Sequence, residues 1–345
     1  MAYELIAENI YRIPVSLGNT PLKELNAYLI KGDGHNLLID TGYRRADCRE
    51  ALETGLRELE VDMRETDIFL THLHSDHSGN APDIVAENRR IYISDIDLAF
   101  IRNGEAARHL ESYHYKKSLV GGMPEKELND FFAFDARGDI SPHPGSAHFE
   151  GLKDGAVFRV GGYTLHCLLT PGHTPGHMCL WEPERGIMFT GDHILFDISP
   201  NIVCWEGFED PLGQYIESLK KTDGYDVRLA LPGHRKPGDF HARIGQLIRH
   251  HWRRLRETMD IVAADPGLTA YQAASRMSWN IHSKRGSDWE GFPLPQKYFA
   301  LGECQSHLAY LRNRGAIARE LAGGVYHYTV AGSWEAPADG ESGDL

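Results

Sequence analysis

Four side chains that commonly bind metal ions lie within six residues of each other in the stretch DIFLTHLHSDHSGN, residues 67–80. The apolar run 68–70 predicts a buried strand that ends just before them. Side chains alternate along an extended backbone, so continued extension would point three of the four to one side. The sequence SGN after them predicts a loop or the start of a helix. The four candidate ligands are His72, His74, Asp76 and His77.

Imidazole and carboxylate groups together suit zinc, and also iron or manganese. Two such ions held about 3.5–4 Å apart can share a hydroxide that attacks an electrophilic carbon or phosphorus. The alternative interpretation is a polar loop that is rich in histidine and binds no metal. The spacing HxHxDH at a strand end favours the metal site and predicts further ligands downstream.

Downstream, histidine or aspartate recurs where apolar stretches end. These residues are His173 and His177 in PGHTPGH, Asp192 and His193 in TGDH, and His234 in LPGH. Upstream, Asp40 follows the apolar run NLLI. Its carboxylate could accept a hydrogen bond from a ligand imidazole, or it could simply cap a turn.

The composition excludes several classes of protein. The 345 residues, 41% of them hydrophobic, are enough for one large domain or a large and a small one. A net charge of −13 argues against a nucleic-acid surface over the whole protein. There is no apolar run of membrane-spanning length and no recognisable signal peptide. The five cysteines form no CxxC pair, so we expect buried, reduced thiols in a cytoplasmic protein.

The pattern of elements predicts two domains and a tail. Residues 1–240 alternate short strands with helices, and a helical insertion at 97–150 is either a cap over the site or a satellite layer. Within it, RGDISPHPGSAHFEG (137–151) is expected to be irregular. Residues 241–333 predict three helices, with Thr269 capping the second, and then a β-wing, the outline of a winged-helix-like α+β module. Residues 334–345 are expected to be disordered.

The ordered set of Asp40, HxHxDH, PGHTPGH, TGD and LPGH resembles the five motifs of the metallo-β-lactamase superfamily over residues 1 to about 240. The resemblance implies an α/β fold, an αββα sandwich with the site at one edge of its two sheets. It implies that His72, His74 and His173 bind a first ion, that Asp76, His77 and His234 bind a second, and that Asp192 bridges them. It also implies that His177 is not a ligand, and we interpret His193 likewise as a residue that binds no metal.

The function implied is hydrolysis of a small acyl substrate, a thioester, ester or lactone, by a hydroxide that bridges two divalent ions. Zinc is the expected metal, with iron or manganese as alternatives. Asp76 and Asp192 would hold the hydroxide, and Asp40 would orient a ligand histidine. Positively charged ions would stabilise the oxyanion that forms at the carbonyl.

Different branches of the superfamily differ at particular positions. Many β-lactamases have cysteine where this chain has Asp192, so β-lactam hydrolysis is not expected. Flavo-diiron proteins have glutamate at the position of His74. PGHTPGH resembles the third motif of glyoxalase II, but DHILFDISPNIVCWEG (192–207) replaces the Gly-Cys-Gly-Arg type segment of that enzyme and of persulfide dioxygenases. A glutathione-derived substrate is therefore not expected.

Three alternatives use the same ligands. A nuclease or phosphodiesterase would draw on the basic segment RHHWRRLR (249–256), but the acidic chain favours a solvated face or a homodimer contact there. An iron persulfide dioxygenase would carry out redox chemistry. A metal-supported binding module would catalyse no reaction. A small-molecule partner is expected, and neither nucleic acid nor a membrane is.

Overall fold

The computed structural model describes residues 2–18, 20–102, 104–135, 148–280 and 288–335. Most of the irregular segment predicted at 137–151 and of the tail predicted at 334–345 lies outside these residues. The chain divides into two compact units. The first comprises Met1–Ala107, Asp139–Pro200 and Ser218–Ile244, and the second comprises Arg108–Gly138, Asn201–Glu217 and Gly245–Leu345. The sequence-based division into 1–240 and 241–333 stays a prediction.

The elements are labelled in chain order. The strands are β1 Glu4–Ala7, β2 Ile10–Ser16, β3 Glu24–Ile30, β4 Asn36–Ile39, β5 Thr66–Phe69, β6 Ile91–Ser94, β7 Phe149–Leu152, β8 Val157–Val160, β9 Tyr163–Leu169, β10 Met178–Glu182, β11 Ile187–Gly191, β12 Leu229–Pro232, β13 Ile317–Ala322 and β14 Val325–Val330. The α-helices are α1 Ala46–Glu58, α2 Ser75–Ser78, α3 Ala81–Ile84, α4 Asp95–Arg102, α5 Gly104–Val120, α6 Glu125–Asp135, α7 Pro211–Asp223, α8 Phe240–Ala264, α9 Ala270–Arg276 and α10 Leu294–Asn313.

Two sheets face each other in the first unit. One has the strand order β1-β2-β3-β4-β5-β6-β7, and the other has the order β12-β11-β10-β9-β8. Side chains from both sheets form one buried cluster, to which β4 contributes Leu37 and Ile39, and β10 contributes Leu180. Burial of such apolar surface contributes roughly 25 cal/mol per Å², so this shared core fixes the two sheets against each other.

The opposite face of the seven-stranded sheet is covered by helix. Because side chains alternate along a strand, Leu38 of β4 points away from the inter-sheet core. It joins a second buried cluster with Leu52 and Leu56 of α1 and Leu98 of α4. This arrangement of helix, sheet and sheet agrees with the α/β sandwich expected from the sequence.

The second unit contains the helices and the hairpin expected after residue 241. Thr269 caps α9 through a reciprocal capping box with Gln272, which confirms the predicted N-cap. Helices α8, α9 and α10 are followed by the antiparallel pair β13–β14. Whether they form a winged-helix module stays a prediction. In the same unit, the rings of Phe131 and Tyr298 stack with their centroids 4.0 Å apart.

None of the helices within the described ranges combines the length and apolar character that crossing a membrane requires.

All five cysteines are buried and none forms a disulfide, as the sequence predicted. Burial raises the pKa of the Cys48 thiol to about 11 and that of Cys179 to about 12. The thiols of Cys167 and Cys304 likewise have their pKa raised to about 12. These groups are therefore protonated at neutral pH.

Two histidines lie inside the second unit with their rings in contact. Nδ1 of His251 is 3.3 Å from Nε2 of His307. Burial lowers the pKa of His307 to about 3 and lowers that of His251 well below its ordinary value. Both imidazoles are therefore neutral in the folded protein over the physiological range.

We expect these two histidines to make the protein sensitive to acid. In the unfolded chain they bind protons below about pH 6.5, whereas the buried rings of the folded protein remain unprotonated at that pH. Above that pH the two histidines do not lower the free energy of unfolding. Below it, the part of this free energy that depends on His307 falls progressively until the pH reaches about 3. The loss is about 1.4 kcal/mol per pH unit for each histidine. Urea unfolding between pH 7 and 5 measures it.

His307→Gln should make this pH dependence shallower, because one titrating group is removed. The wild-type protein, unfolded in the same buffers, is the reference. Equal slopes in the two proteins would contradict the assignment.

Candidate metal centre

The predicted ligands lie at one edge of the two sheets in the first unit. Strands β4, β5 and β6 run parallel, so their carboxyl ends share an edge. Asp40 follows β4, and the stretch 71–77 follows β5. In the other sheet the parallel strands β11 and β12 end just before Asp192 and His234. The backbone N–H of Met178 donates to the carbonyl of Thr71 at 2.8 Å and joins the two edges.

The backbone of the HxHxDH stretch differs from the expectation in one respect. Strand β5 ends at Phe69, residues 71–73 form bends, and the helical turn α2 already begins at Ser75. Asp76 therefore lies on a helix rather than on the extended strand continuation, and alternation does not decide its direction. The turn brings Asp76 and His77 to one group of ligands and leaves His72 and His74 in another.

The first group consists of three imidazoles. Nε2 of His72 lies 3.0 Å from Nδ1 of His74, and that same Nδ1 lies 2.9 Å from Nε2 of His173. Three ring nitrogens so close together can all direct their lone pairs at a single ion. This donor set is typical of zinc and of iron or manganese.

The second group combines imidazole and carboxylate. Nε2 of His77 lies 3.1 Å from Nε2 of His234, and Oδ2 of Asp76 lies 3.3 Å from that His234 nitrogen. His77 and His234 are fully buried, whereas the Asp76 side chain is 13% exposed. These three residues could hold a second ion.

Asp192 lies between the two groups and turns one oxygen to each. Its Oδ2 is 3.6 Å from Nε2 of His173 in the first group. Its Oδ1 is 3.4 Å from Nε2 of His77 and 3.6 Å from Nε2 of His234 in the second. Oδ1 is buried and accepts no hydrogen bond from the described residues. A buried carboxylate oxygen without a donor is costly, and a cation beside it would remove that cost.

In three of the candidate ligand rings, Nδ1 faces away from the other ligands and donates a hydrogen bond, so the ring proton lies on Nδ1. His77 donates from Nδ1 to Oδ2 of Asp40 at 2.7 Å, and His234 donates from Nδ1 to the carbonyl of Glu24 at 2.8 Å. Thr71 donates its hydroxyl hydrogen to Asp40, so its oxygen accepts from Nδ1 of His72 at 3.0 Å. In each ring Nε2 is then left with a lone pair for a metal ion.

The electrostatics of the first group favour neutral imidazoles. Burial, reinforced by the neighbouring imidazoles, lowers the pKa of His72 well below its ordinary value. Burial and the nearby His173 lower the pKa of His74 to about 3. Neutral rings are what metal binding requires, because a proton on the ligand nitrogen competes with the ion.

The second group attracts positive charge. Burial alone would lower the pKa of His77, but the carboxylates of Asp40 and Asp192 raise it well above its ordinary value. Burial alone would raise the pKa of Asp192, but His234 and His77 hold it well below its usual range. Asp192 is therefore ionised and stabilises a cation beside it. The residues present thus fit a pair of divalent ions.

Asp40 holds the His77 ring and the end of β5 together. Besides the bond from His77, it accepts the backbone N–H of Thr71 at 2.9 Å and the Thr71 hydroxyl at 2.8 Å. Its backbone has a φ of 59°, a left-handed conformation that aspartate and asparagine adopt more readily than most residues.

Asp40→Asn should therefore keep the backbone but weaken the centre. An amide NH₂ in place of either oxygen would face an N–H or hydroxyl donor, so His77 or Thr71 would lose its acceptor. We expect metal affinity or kcat/KM to fall about 10- to 100-fold. Metal titration and steady-state kinetics measure this, with the exposed Asp33→Asn as the matched control. Wild-type metal affinity and activity in Asp40→Asn would contradict the role.

The two histidines interpreted as non-ligands contact the centre from outside. Nε2 of His177 accepts the backbone N–H of Asp192 at 3.1 Å, and its Nδ1 donates to the Thr170 hydroxyl at 2.8 Å. Nε2 of His193 lies 3.1 Å from the Thr222 hydroxyl. These three contacts are made to backbone and hydroxyl groups rather than to the candidate ligand side chains.

One glycine next to the centre is required by close packing. A Cβ on Gly233 would lie 2.7 Å from Cε1 of His77 and 2.8 Å from Oδ1 of Asp192. Any side chain there would displace a candidate ligand, which explains the glycine in LPGH.

The sequence analysis missed one buried residue beside the centre. Asp97, in the first turn of α4, accepts hydrogen bonds from the stretches that carry His74 and His173. A weak signal was available, because Asp97 lies in the first helical turn after strand β6, whereas Asp40 directly follows β4. Its distance from any histidine motif in the sequence concealed it.

The sequence and the fold of this chain are both similar to those of known proteins. A family model described as the metallo-beta-lactamase superfamily matches residues 24–234. The chain belongs to the metallo-β-lactamase superfamily. The resemblance inferred from the motifs and the α/β fold class are thereby confirmed, and we conclude that the protein is a metal-dependent hydrolase of this superfamily.

Structural and sequence relatives span most of this metallo-β-lactamase superfamily chain. A crystal structure of a metallo-beta-lactamase family protein from Thermus thermophilus is 29% identical, with a TM-score of 0.76, and the match covers 94% of this chain and 99% of that one. The lactamase-like protein adaB of Aspergillus niger is 28% identical over 341 residues, covering 87% of this chain and 88% of that protein.

A third relative carries a more specific name. The atrochrysone carboxyl ACP thioesterase of Emericella nidulans is 27% identical over 231 residues. The match covers 67% of the present chain but only 57% of the Emericella nidulans protein.

Proposed function

We propose that this protein is a binuclear metal-dependent hydrolase of a small acyl substrate, and that the substrate is a thioester. The position of Asp192 carries the binuclear part of the proposal, since its two oxygens are directed at different groups of ligands. The thioester part is supported by the relative whose name describes an ACP thioesterase. Esters and lactones present the same carbonyl chemistry and are the alternatives.

The ligand assignment follows the two groups. His72, His74 and His173 would hold the first ion, and Asp76, His77 and His234 would hold the second. Asp192 would contact both. When bound, a pair of divalent cations, for which zinc is our first choice, supplies an activated water and positive charge that stabilises an oxyanion.

The exposed side of the centre defines how a substrate approaches. Three of the histidines, His72, His77 and His234, are fully buried, whereas His74 and Asp76 are partly exposed. A carbonyl group would therefore reach the centre past His74 and Asp76. The three buried histidines have no contact with bulk water.

The two carboxylates remain ionised during this approach. Burial would raise the pKa of Asp76, but the neighbouring imidazoles of His234 and His77 lower it to about 2. Oδ2 of Asp76 can then accept a hydrogen bond from the attacking water and orient it. Asp192 has the same capacity at both of its oxygens.

A panel of substrates tests the proposal. Protein of measured metal content would be assayed with short acyl-pantetheine thioesters, p-nitrophenyl esters, γ-lactones and bis(p-nitrophenyl) phosphate. We expect the highest kcat/KM for a thioester, with activity proportional to metal content. Protein stripped of metal provides the control.

Three results would contradict the proposal. Preference for the phosphodiester would favour a nuclease or phosphodiesterase, and oxygen consumption with a persulfide would favour an iron dioxygenase. Full thioester hydrolysis by the metal-free protein would exclude the centre as the site of reaction.

A further inference from the structure

Asp97 is a fully buried carboxylate that lies outside the set of candidate ligands. It accepts three short hydrogen bonds. The backbone N–H of Leu73 and the hydroxyl of Thr174 donate to its Oδ2 at 3.0 and 2.8 Å, and the backbone N–H of Gly176 donates to its Oδ1 at 2.7 Å. Its own backbone N–H donates to the hydroxyl of Ser94 at 3.0 Å.

The donors come from two stretches that carry ligands of the first ion. Leu73 lies between His72 and His74 in the sequence, and Thr174 directly follows His173. The nitrogens of His74 and His173 that would bind this ion are 2.9 Å apart. A single carboxylate thus joins the two stretches close to the point where their imidazoles meet.

The chemistry of the donors requires a carboxylate. Two of them, at Leu73 and Gly176, are backbone N–H groups that cannot become acceptors, and they bond to different oxygens of Asp97. An asparagine would place its NH₂ against one of these N–H groups whichever way it turned. Burial raises the pKa of Asp97 to about 6 even though the three hydrogen bonds oppose the rise. The group is therefore ionised at neutral pH.

Close packing leaves this contact no freedom to rearrange. A Cβ on Gly176 would lie 2.1 Å from the Ser94 hydroxyl oxygen and 2.6 Å from Oδ1 of Asp97. The loop containing His173 therefore rests directly on the Asp97 carboxylate, and the space between them has no room for a side chain or a water molecule.

We propose that Asp97 is a positioning residue that sets the separation of His74 and His173 and thereby the affinity of the first ion, an inference that rests on the proposed function. The second group has its own supports, in Asp40 for His77 and in the Glu24 carbonyl for His234. Asp97 therefore acts selectively, on one ion of the two.

Single-ion variants allow the selectivity to be measured. His234→Ala removes a ligand of the second ion, and His173→Ala removes a ligand of the first. Asp97→Asn would be introduced into each, and the affinity for the remaining ion measured by competition with a chromophoric chelator. We expect Zn²⁺ to bind about 10- to 100-fold more weakly when the first site remains, and with unchanged affinity when the second remains. The Co²⁺ absorption spectrum should change in the same selective way.

Thr174→Val is a milder second variant, because it removes one of the three donors and keeps the shape of the side chain. It should lower the affinity for the first ion by a smaller factor and leave the affinity for the second ion unchanged. If Asp97→Asn does not fold, as judged by circular dichroism, Thr174→Val decides the question.

The outcomes separate the two proposals. A wild-type protein that binds no ion at this centre would refute the proposed function. A wild-type protein that binds two ions, combined with unchanged first-site affinity in the deciding variant, would overturn the role of Asp97 alone. Equal weakening at both sites would also overturn it, because a general loss of structure would explain that result.

Discussion

Asp192→Asn is expected to lower kcat/KM by at least about 10³-fold and to reduce the bound metal below two ions per chain. The reason is that Asp192 faces both ligand groups, with Oδ1 3.4 Å from His77 and Oδ2 3.6 Å from His173. An amide can offer only one oxygen, so at least one ion loses a negatively charged ligand. Metal-ion stabilisation is worth several kcal/mol in the transition state, and about 1.4 kcal/mol corresponds to tenfold in rate.

Metal analysis and steady-state kinetics on the same preparation would measure both effects. Asp226→Asn is a suitable control, since that side chain is 84% exposed and belongs to neither group of candidate ligands. Asp192→Ala should show the same two losses. Two ions and wild-type turnover in either Asp192 variant would end the bridging assignment.

Removal of the metal with a chelator is expected to abolish hydrolysis and to destabilise the protein. The candidate ligands come from four separate stretches of the chain, so ions bound among them favour the folded state over the unfolded one. At a free ion concentration about 1,000 times Kd, binding contributes about 4 kcal/mol to the free energy of unfolding. For a unit of this size the loss lowers Tm by roughly 10 °C.

Calorimetry before and after dialysis against dipicolinate would show this change, and added Zn²⁺, Mn²⁺ or Fe²⁺ should restore both Tm and activity to different extents. The ion that restores the most activity identifies the best native candidate. A chelated protein with an unaltered Tm and full activity would show that the centre holds no functional metal.

The candidate ligands could be identified in the sequence because the information is local. Each candidate lies in a short motif directly after an apolar strand, as Asp192 does after β11 and His234 after β12. Parallel strands bring such ends together at one edge of a sheet. The same local patterns, alternating in strands and amphipathic in α1, were sufficient to indicate the fold class.

What the sequence could not show depends on partners far apart in the chain. The carbonyl of Glu24 orients His234 across 210 residues, and a backbone carbonyl leaves no trace in the residue type. Asp97 reaches Thr174 across 77 residues. The helical turn at Ser75 was also missed, because the residues SDHS have no strong preference and the surrounding contacts decide their conformation.

The burial of the cysteines has a practical consequence for work on the metal centre. Thiolates bind zinc strongly and oxidise readily, but a thiol whose pKa is about 11 or 12 is almost entirely protonated at neutral pH. Zinc retained after gel filtration should therefore report the histidine and aspartate ligands, without a contribution from sulfur. Purification can also omit dithiol reductants, which themselves sequester zinc and would distort any stoichiometry measured in their presence.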